Sequence, residues 1–318
     1  MRRLKRAGTW FCAVALLGVI GAAGFKQWCD AHYYEGYDPA LPLDVVEGSY
    51  AECDGYDRCA FTFQGLPGDM VPALLARPAS GAKPFPCVVF LHGIGQSKEF
   101  LDAIAKPFTL AGFAVATFDQ YTRGERGRPS ERPWAATLAL RERAARTVIE
   151  TRRLIDCLET RQDVDPERVY LCGASFGAIT GANAAAFDNR IRAVVLTYGG
   201  GNVRLLLSSQ AVAERAGRWT PLLTRLGAYV FAPADPLKHV DAIVPRPVYF
   251  QNGTEDSLIP RAAAEALQDA AGEPKTITWY DSDHVGIDPE HTERVLADAV
   301  EWLVAQDVLI QSERKTRT

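Results

Sequence analysis

The feature that most constrains the fold of this chain is a serine between two glycines, in the pattern Gly173-x-Ser175-x-Gly177. The apolar run 169–172 precedes it and the small-residue run 178–182 follows it, which predicts a buried strand, a sharp turn and a helix. Glycine suits both flanking positions, because a side chain there would collide with neighbouring backbone. The turn exposes the serine hydroxyl, and the helix N-terminus favours developing negative charge. The pattern therefore predicts that Ser175 is a nucleophile.

A nucleophilic serine needs a base, and the sequence offers five histidines: His32, His92, His239, His284 and His291. Behind an elbow of this kind, the acid and then the histidine follow the serine along the chain. That order excludes His32 and His92, and His239 comes before the best acid candidate. His284 lies in the loop after the predicted strand 276–280, where parallel sheets place catalytic groups. His291 is the second candidate, but we interpret it as the solvated N-terminus of the final helix.

The acid is predicted in the loop after the strand 247–253. Asp256 lies there, before a helix predicted from Arg261 onward, and its carboxylate can orient the imidazole. Glu255 could substitute for it, although its longer side chain would need a different loop path. Asp283 is a further rival, but a residue directly before a histidine usually points away from that ring. The structural alternative for Asp256 is an N-cap of the following helix.

An oxyanion hole is predicted beside the serine. The apolar strand 87–91 is followed directly by His92-Gly93-Ile94-Gly95. The backbone N–H groups of Ile94 and of Phe176, the residue after the nucleophile, can point at a developing oxyanion. We interpret His92 as a brace for this turn that takes no part in proton transfer.

Together these motifs resemble the α/β-hydrolase superfamily, over roughly residues 45–305. Segments 91–99 and 69–78 are most similar to its dienelactone-hydrolase and acetyl-xylan-esterase-like branch. The resemblance implies the roles given above for Ser175, Asp256 and His284. Segment 118–124 departs from the usual Asp-x-Arg-Gly by extra residues before the Arg-Gly pair. Because this loop borders the site in relatives, we expect the departure to affect substrate choice.

The alternation of strands and helices predicts an α/β fold with a mostly parallel sheet covered by helices on both faces. Its strands are expected at 87–91, 114–118, 169–172, 193–197, 248–251 and 276–280. Residues 60–63 and 72–77 suit antiparallel strands at one edge. At 318 residues and 47% hydrophobic, the chain can bury one large core. Residues 199–240 form an insertion with an apolar face, which we interpret as a lid or as helices packed on the core.

Charge and spacing exclude several classes of function. The net charge of −4 gives no basic field for nucleic acid. The arginines between residues 141 and 153 alternate with Glu and apolar residues, which we interpret as the solvated face of a long helix. No Cys/His spacing matches a metal site. We therefore expect neither a metal nor a cofactor.

The N-terminus predicts a targeting segment. Four basic side chains within residues 2–6 precede the uncharged stretch 7–25. That stretch is long enough to span a bilayer at about 1.5 Å per residue. Residues 1–30 are therefore expected to be a cleaved signal peptide or a retained anchor that associates with the membrane. In both cases the hydrolase domain, residues 31–318, would lie outside the cytoplasm.

Seven cysteines occur in the sequence. Cys53 and Cys59 flank a short loop that would suit a disulfide in an oxidising compartment. Cys87, Cys157 and Cys172 lie in apolar runs and are expected to be small buried residues.

The residues together predict a serine hydrolase that cleaves a small-molecule carboxylic ester through an acyl-enzyme. Two alternatives remain open. A serine peptidase of the prolyl-oligopeptidase type uses the same three groups, although no sequence resembling a propeller domain accompanies them. A non-catalytic interaction protein on this scaffold would typically lack one of the three.

Overall fold

The structure, a computed structural model, describes residues 21–127 and 132–317. They belong to two units that divide between Glu35 and Gly36. In the first unit, residues 21–31 are helical. Within the described ranges no helix has both the length and the apolar character needed to cross a bilayer. Most of the predicted signal or anchor, residues 1–20, lies outside the described residues and stays a prediction.

The second unit is built on one sheet, to which the described residues contribute nine strands. They are β1 (Val46–Glu52), β2 (Tyr56–Leu66), β3 (Asp69–Pro78), β4 (Phe85–Leu91), β5 (Ala114–Phe118), β6 (Val164–Ala174), β7 (Ile191–Thr197), β8 (Val248–Gly253) and β9 (Lys275–Tyr280). Their order across the sheet is β1-β2-β3-β5-β4-β6-β7-β8-β9. The pairs from β1 to β5 are antiparallel, and all pairs from β5 to β9 are parallel. The mostly parallel sheet with an antiparallel edge is confirmed.

Helices connect the strands of this sheet. They are α1 (Leu101–Leu110), α2 (Pro133–Glu159), α3 (Phe176–Phe187), α4 (Val203–Leu206), α5 (Gln210–Ala216), α6 (Thr220–Val230), α7 (Arg261–Ala270) and α8 (Pro289–Arg317). The helix predicted from Arg261 onward begins at that residue.

Both faces of the sheet are covered by helices. Alternate residues of each central strand point to opposite faces, so each strand packs against helices on two sides. On one side, Val88 of β4 packs in a cluster with Leu101 of α1 and Leu303 of α8. On the other side α3 lies so close that a Cβ on its Gly181 would meet Leu171 of β6 at 2.8 Å. Burial on two faces explains why β4 and β5 are buried throughout and are almost continuously apolar.

The predicted insertion lies between β7 and β8 and consists of α4, α5, α6 and short 3₁₀ turns. Helix α6 has an unusual distribution of side chains. The small Thr224 is buried, whereas Leu222 and Leu226 are 50% and 53% exposed. Large apolar groups therefore face outward from this helix. Whether the insertion acts as a lid stays a prediction.

The interpretation of the arginines in 141–153 as a solvated face is wrong. Helix α2 carries them, and its Arg143 and Arg153 are only 3% and 0% exposed. The guanidinium group of Arg153 donates to the backbone carbonyls of Gln64 and Leu41. A long helix packed under loops buries residues around most of its circumference, so the alternation with Glu did not indicate solvent exposure.

The expected disulfide between Cys53 and Cys59 is absent, and both thiols are free. Strand register explains this result. Cys59 lies opposite Tyr50, whereas Cys53 bonds across the hairpin to Tyr56. The two cysteines are therefore three positions apart along the hairpin, about 10 Å, which exceeds the reach of a disulfide. Cys87, Cys157 and Cys172 are buried, as predicted.

Candidate active site

Ser175 occupies the turn between β6 and α3, with a φ of 56° and a ψ of −117°. Side-chain-bearing residues rarely adopt this conformation, so the surrounding backbone must hold it in place. Its N–H donates to the carbonyl of Thr197 on the next strand at 2.8 Å. A Cβ on Gly173 would lie 2.2 Å from the carbonyl oxygen of Gly177. A Cβ on Gly177 would lie 1.9 Å from the carbonyl oxygen of Leu91, so both positions require glycine.

His284 links Ser175 to Asp256. Its Nε2 lies 2.9 Å from the hydroxyl oxygen of Ser175, and its Nδ1 lies 2.8 Å from Oδ2 of Asp256. The side chains of His284 and Asp256 are 7% and 2% exposed. A neutral imidazole with its proton on Nδ1 satisfies both contacts, because it donates to the carboxylate and accepts from the hydroxyl. The predicted contacts among these three residues are present.

The loop after β8 orients Asp256. The second carboxylate oxygen of Asp256 accepts hydrogen bonds from the backbone N–H groups of Leu258 and Ile259, each at 2.8 Å. These bonds fix the carboxylate within its own loop, and the next helix begins only at Arg261. Asp256 is therefore not the N-cap of that helix.

The two rival acids lie elsewhere. Asp283 accepts from the N–H and hydroxyl groups of Ser257 and from the N–H of His284. The Ser257 N–H is the main cause of a lowered pKa for this carboxyl, and the His284 N–H contributes. Asp283 thus holds the backbone of the histidine loop. Glu255 is exposed, and its own N–H donates to the carbonyl of Ser282.

The oxyanion loop approaches Ser175 closely. A Cβ on Gly93 would lie 3.7 Å from the Cβ of Ser175. Within the described part of the chain, neither the Ile94 N–H nor the Phe176 N–H donates a hydrogen bond. The carbonyl of Gly93, in the same peptide plane as the Ile94 N–H, accepts from the Gln96 N–H at 3.2 Å. Because the N–H and C=O groups of one peptide point in opposite directions, the Ile94 N–H points away from Gln96.

His92 braces the same loop. Its Nδ1 lies 2.9 Å from the carbonyl oxygen of Gly93, and the side chain is completely buried. Burial lowers its pKa to about 4, so the ring is neutral at physiological pH. The Nε2 atom has no partner among residues 21–127 and 132–317. These observations agree with a structural role for His92.

His291 lies in the first turn of α8, as the interpretation required, but the expectation that it is solvated there is wrong. His291 is half-buried, and its Nε2 lies 2.6 Å from the hydroxyl oxygen of Tyr198 and 3.0 Å from that of Ser282. Tyr198 is completely buried and its ring meets the ring of His284 edge-on, with centroids 5.6 Å apart. Burial raises the pKa of Tyr198 to about 12.

Sequence reasoning missed Tyr198. The residue follows β7 directly and has a φ of 54°. Its N–H donates to the carbonyl of Gln251 at 2.6 Å. The only local signal is its position before Gly199-Gly200-Gly201, which marks a tight chain path after a strand but not a polar contact.

The described residues, 21–127 and 132–317, contain no group of three or more His, Cys, Asp or Glu side chains placed to hold a metal ion. The expectation that the protein needs no cofactor stays a prediction.

The sheet order, the strained serine turn and the Ser–His–Asp contacts are those of the α/β-hydrolase fold. Sequence comparison then identifies the family. The model of the dienelactone hydrolase family matches residues 71–305, which is more than half of the chain. The chain belongs to the dienelactone hydrolase family, so the predicted resemblance is confirmed and the protein is a hydrolase.

Two curated relatives agree with this assignment, and a solved structure shares the fold. The esterase YjfP of Escherichia coli (strain K12) is 26% identical over 243 residues, covering 69% of this chain and 90% of that protein. The protein YtaP of Bacillus subtilis (strain 168) is 24% identical over 246 residues, covering 71% and 74%. An acetyl xylan esterase from Paenibacillus sp. R4 superimposes with a TM-score of 0.68 at 17% identity, covering 87% and 92% of the two chains. At that identity the likeness shows the fold alone.

Proposed function

We propose that this protein hydrolyses carboxylic esters through an acyl-enzyme formed on Ser175. One observation carries the proposal, namely the imidazole of His284 held between the Ser175 hydroxyl and the Asp256 carboxylate at 2.9 and 2.8 Å. This arrangement supplies a nucleophile, a general base and an orienting group. The esterase YjfP among the relatives supports ester chemistry.

In the first half of the reaction, the Ser175 hydroxyl attacks the ester carbonyl carbon while its proton moves to Nε2 of His284. The carbonyl oxygen becomes negatively charged, and the N–H groups of Ile94 and Phe176 stabilise it. Asp256 stabilises the imidazolium and keeps its orientation. Collapse of the tetrahedral intermediate breaks the ester C–O bond, and His284 returns the proton to the leaving alcohol.

In the second half, water takes the place of the alcohol beside His284. The imidazole accepts a proton from the water, whose oxygen attacks the acyl carbon. A second tetrahedral intermediate forms in the same oxyanion hole. Its collapse releases the carboxylic acid and returns the proton to Ser175, so that no group is consumed.

A panel of p-nitrophenyl esters with increasing acyl length tests this proposal, together with a peptide panel and a fluorophosphonate probe. We expect ester turnover, stoichiometric labelling of one serine, and loss of both in Ser175→Ala. The loss in kcat should be on the order of 10³-fold or more, since the oxyanion hole alone retains some catalysis. Wild-type turnover by the purified variant would contradict the mechanism.

The same panels separate the alternatives. A peptidase of the prolyl-oligopeptidase type would react with the probe and cleave peptides better than esters. A non-catalytic interaction protein would neither react with the probe nor turn over either panel. All three reacting groups are present in hydrogen-bond contact, which favours a catalyst over the non-catalytic alternative. The esterase YjfP among the relatives favours ester over peptide substrates.

For the substrate, we propose a small-molecule ester with an apolar acyl or aromatic group. The exposed leucines of α6, Leu222 and Leu226, offer such a group an apolar surface if the insertion borders the site. The double variant Leu222→Ser/Leu226→Ser should then lower kcat/KM for octanoate more than for acetate. An unchanged ratio of the two values would contradict this role.

We also propose that the hydrolase domain lies outside the cytoplasmic membrane, carried there by residues 1–30. The basic start and the uncharged stretch 7–25 support this location. Cell fractionation with protease accessibility of the domain tests the proposal. A domain found only in the cytoplasmic fraction would contradict it.

A further inference from the structure

A buried arginine of α2 connects the two residues that carry the predicted oxyanion N–H groups. The Nη1 atom of Arg143 donates to the carbonyl oxygen of Ile94 at 3.0 Å. Its guanidinium carbon also lies 4.7 Å from the centroid of the Phe176 ring, within the range of a cation–π contact. Arg143 thus contacts both residues whose N–H groups are predicted to stabilise an oxyanion.

A glutamine extends this connection to the base of the loop. Nε and Nη2 of Arg143 donate to Oε1 of Gln120 at 3.0 and 2.8 Å. The amide nitrogen of Gln120 donates in turn to the carbonyl of His92 at 2.9 Å. Gln120 is completely buried and lies in the segment 118–124, which departs from the family pattern.

A second arginine holds the rest of the loop from outside. Arg123 donates to the carbonyls of Gly95 and Gln96. Three successive carbonyls, those of Ile94, Gly95 and Gln96, therefore accept from guanidinium groups. These bonds hold segment 94–96, which directly follows the peptide that carries the Ile94 N–H, in one position.

Arg143 is a buried cation without a negatively charged partner in the described ranges. Its contacts are to neutral acceptors and a ring. By contrast, Arg126 and Arg153 are paired with Glu150 and Asp156, each at 2.8 Å. Burial, with a smaller contribution from the positive charge of Arg123, lowers the pKa of Arg143 to about 9.

A buried cation without a counter-ion destabilises the folded state, and such groups concentrate at functional sites. A negative charge would offset that cost. In the proposed reaction one arises on the substrate oxygen, between the two residues that Arg143 contacts. The cation is then better stabilised in the tetrahedral state than in the resting enzyme, which is the condition for an effect on kcat.

We propose that Arg143 is a positioning residue for the oxyanion hole, which it holds through Ile94, Phe176 and Gln120 and whose negative charge it complements. This inference rests on the proposed function, because it assigns a role within the same reaction. Arg143 itself does not touch the reacting atoms. Its effect is exerted through the position of the loop that carries the Ile94 N–H, through its contact with the Phe176 ring, and through its unpaired charge.

Three variants of the full chain test this role: Arg143→Met, Arg143→Lys and the control Arg146→Met. Arg146 lies one turn further along α2, pairs with Glu142 and Asp69, and does not contact the oxyanion loop. Active sites are first counted with a fluorophosphonate, so that kcat refers to folded enzyme. Turnover of p-nitrophenyl acetate and inhibition by a trifluoromethyl ketone are then measured. The ketone forms a tetrahedral oxyanion adduct with the serine.

For Arg143→Met we expect kcat per active site to fall about 10²-fold, as for loss of an oxyanion donor. KM should stay within about threefold, and Ki for the ketone should rise by the factor by which kcat/KM falls. Arg143→Lys keeps the charge but loses the forked geometry, so it should recover part of the loss. The control should match the wild type in kcat and Ki.

Wild-type kcat and Ki in folded Arg143→Met would overturn the inference, even if its melting temperature fell. A rise in KM with unchanged Ki would also overturn it, because it would assign Arg143 to substrate binding. If Arg143→Met does not fold, Arg143→Lys becomes the test. Wild-type kcat and Ki in Arg143→Lys would then overturn the inference. Absence of ester turnover in the unmodified protein would instead contradict the proposed function, so the two failures are distinguishable.

Discussion

Tyr198 connects the two histidines of the C-terminal loops. Its ring packs edge-on against His284, while its hydroxyl contacts His291 and Ser282. His291 therefore contributes to the packing around the base without contacting Ser175. At the scale of single residues, the two histidines have separable roles.

Exchange of each histidine tests this separation. His284→Ala should lower kcat on the order of 10³-fold or more, because the serine loses its base. His291→Ala should retain activity within about tenfold, since it removes contacts to the Tyr198 and Ser282 hydroxyls but none to Ser175. Ester turnover of both purified variants checks this prediction. An inactive His291→Ala with an active His284→Ala would mean that the base is wrongly assigned.

The glycine at position 177 is predicted to be indispensable for folding. Its missing side chain leaves room for the carbonyl of Leu91, which an alanine Cβ would approach to 1.9 Å. Gly177→Ala should therefore destabilise the protein by about 3 kcal/mol or more, or prevent expression. Gly95→Ala is the matched control, because a Cβ there meets nothing within 4 Å. Equal melting temperatures for the two variants would contradict this account of the elbow.

Ser175, Asp256 and His284 could be predicted because each lies in a local pattern of strand, loop and helix whose order along the chain is known. The burial of Arg143 and the contacts of Tyr198 could not. Both depend on contacts with loops that are distant in sequence. The residues next to Arg143 and Tyr198 do not indicate that these loops pack against them.

At the scale of elements, the β1–β2 hairpin illustrates how register decides chemistry. Cys59 lies on β2 opposite Tyr50, and burial raises its pKa to about 11. Cys53 follows β1 and is placed three positions along the hairpin. In the sequence, a spacing of six residues was compatible with a bridged loop. The position of the turn could not be predicted from the sequence, and it is this position that separates the thiols.

Thiol labelling tests this register. In protein denatured without reductant, Cys53 and Cys59 should each be alkylated. Mass spectrometry of proteolytic peptides identifies the labelled residues, with a reduced sample as the reference. A peptide in which Cys53 is linked to Cys59 would contradict this prediction. It would show that the hairpin has another register in the cell.

The central strands were predictable because continuous apolar runs of this length, alternating with helical segments, indicate buried parallel strands. Strand β1 was missed, because its residues are mostly exposed and carry no apolar alternation. The helices of the insertion lacked a clear periodic pattern, since large side chains of α6 face outward. Elements whose position depends on long-range packing were therefore the ones that sequence reasoning left open.

At the scale of the molecule, Asp163 ties the strands together at the end of the sheet opposite Ser175. Its carboxylate accepts from Tyr50, Arg77 and Arg161 at 2.8, 3.1 and 2.9 Å. Burial alone would raise the pKa of Asp163, but hydrogen bonds from Arg161 and Tyr50 outweigh it and lower the pKa from 3.8 to about 2. The folded state therefore favours the ionised carboxylate.

This shift predicts how stability depends on pH. A carboxyl whose pKa is lowered by folding stabilises the protein above about pH 4, and the contribution is lost as pH falls toward about 2. Asp163→Asn should lower the melting temperature at neutral pH, and the gap from the wild type should narrow below about pH 4. Thermal unfolding followed by circular dichroism measures both. A gap that is independent of pH would contradict the electrostatic origin of the effect.

The central claim is that Ser175 carries an acyl group during turnover. The direct measurement is mass spectrometry of enzyme quenched in acid while it turns over a p-nitrophenyl ester, followed by peptide mapping. We expect a mass increase of one acyl group on the peptide that contains Ser175, and none in Ser175→Ala. An acyl group on another residue, or continued turnover by Ser175→Ala without any adduct, would contradict the account.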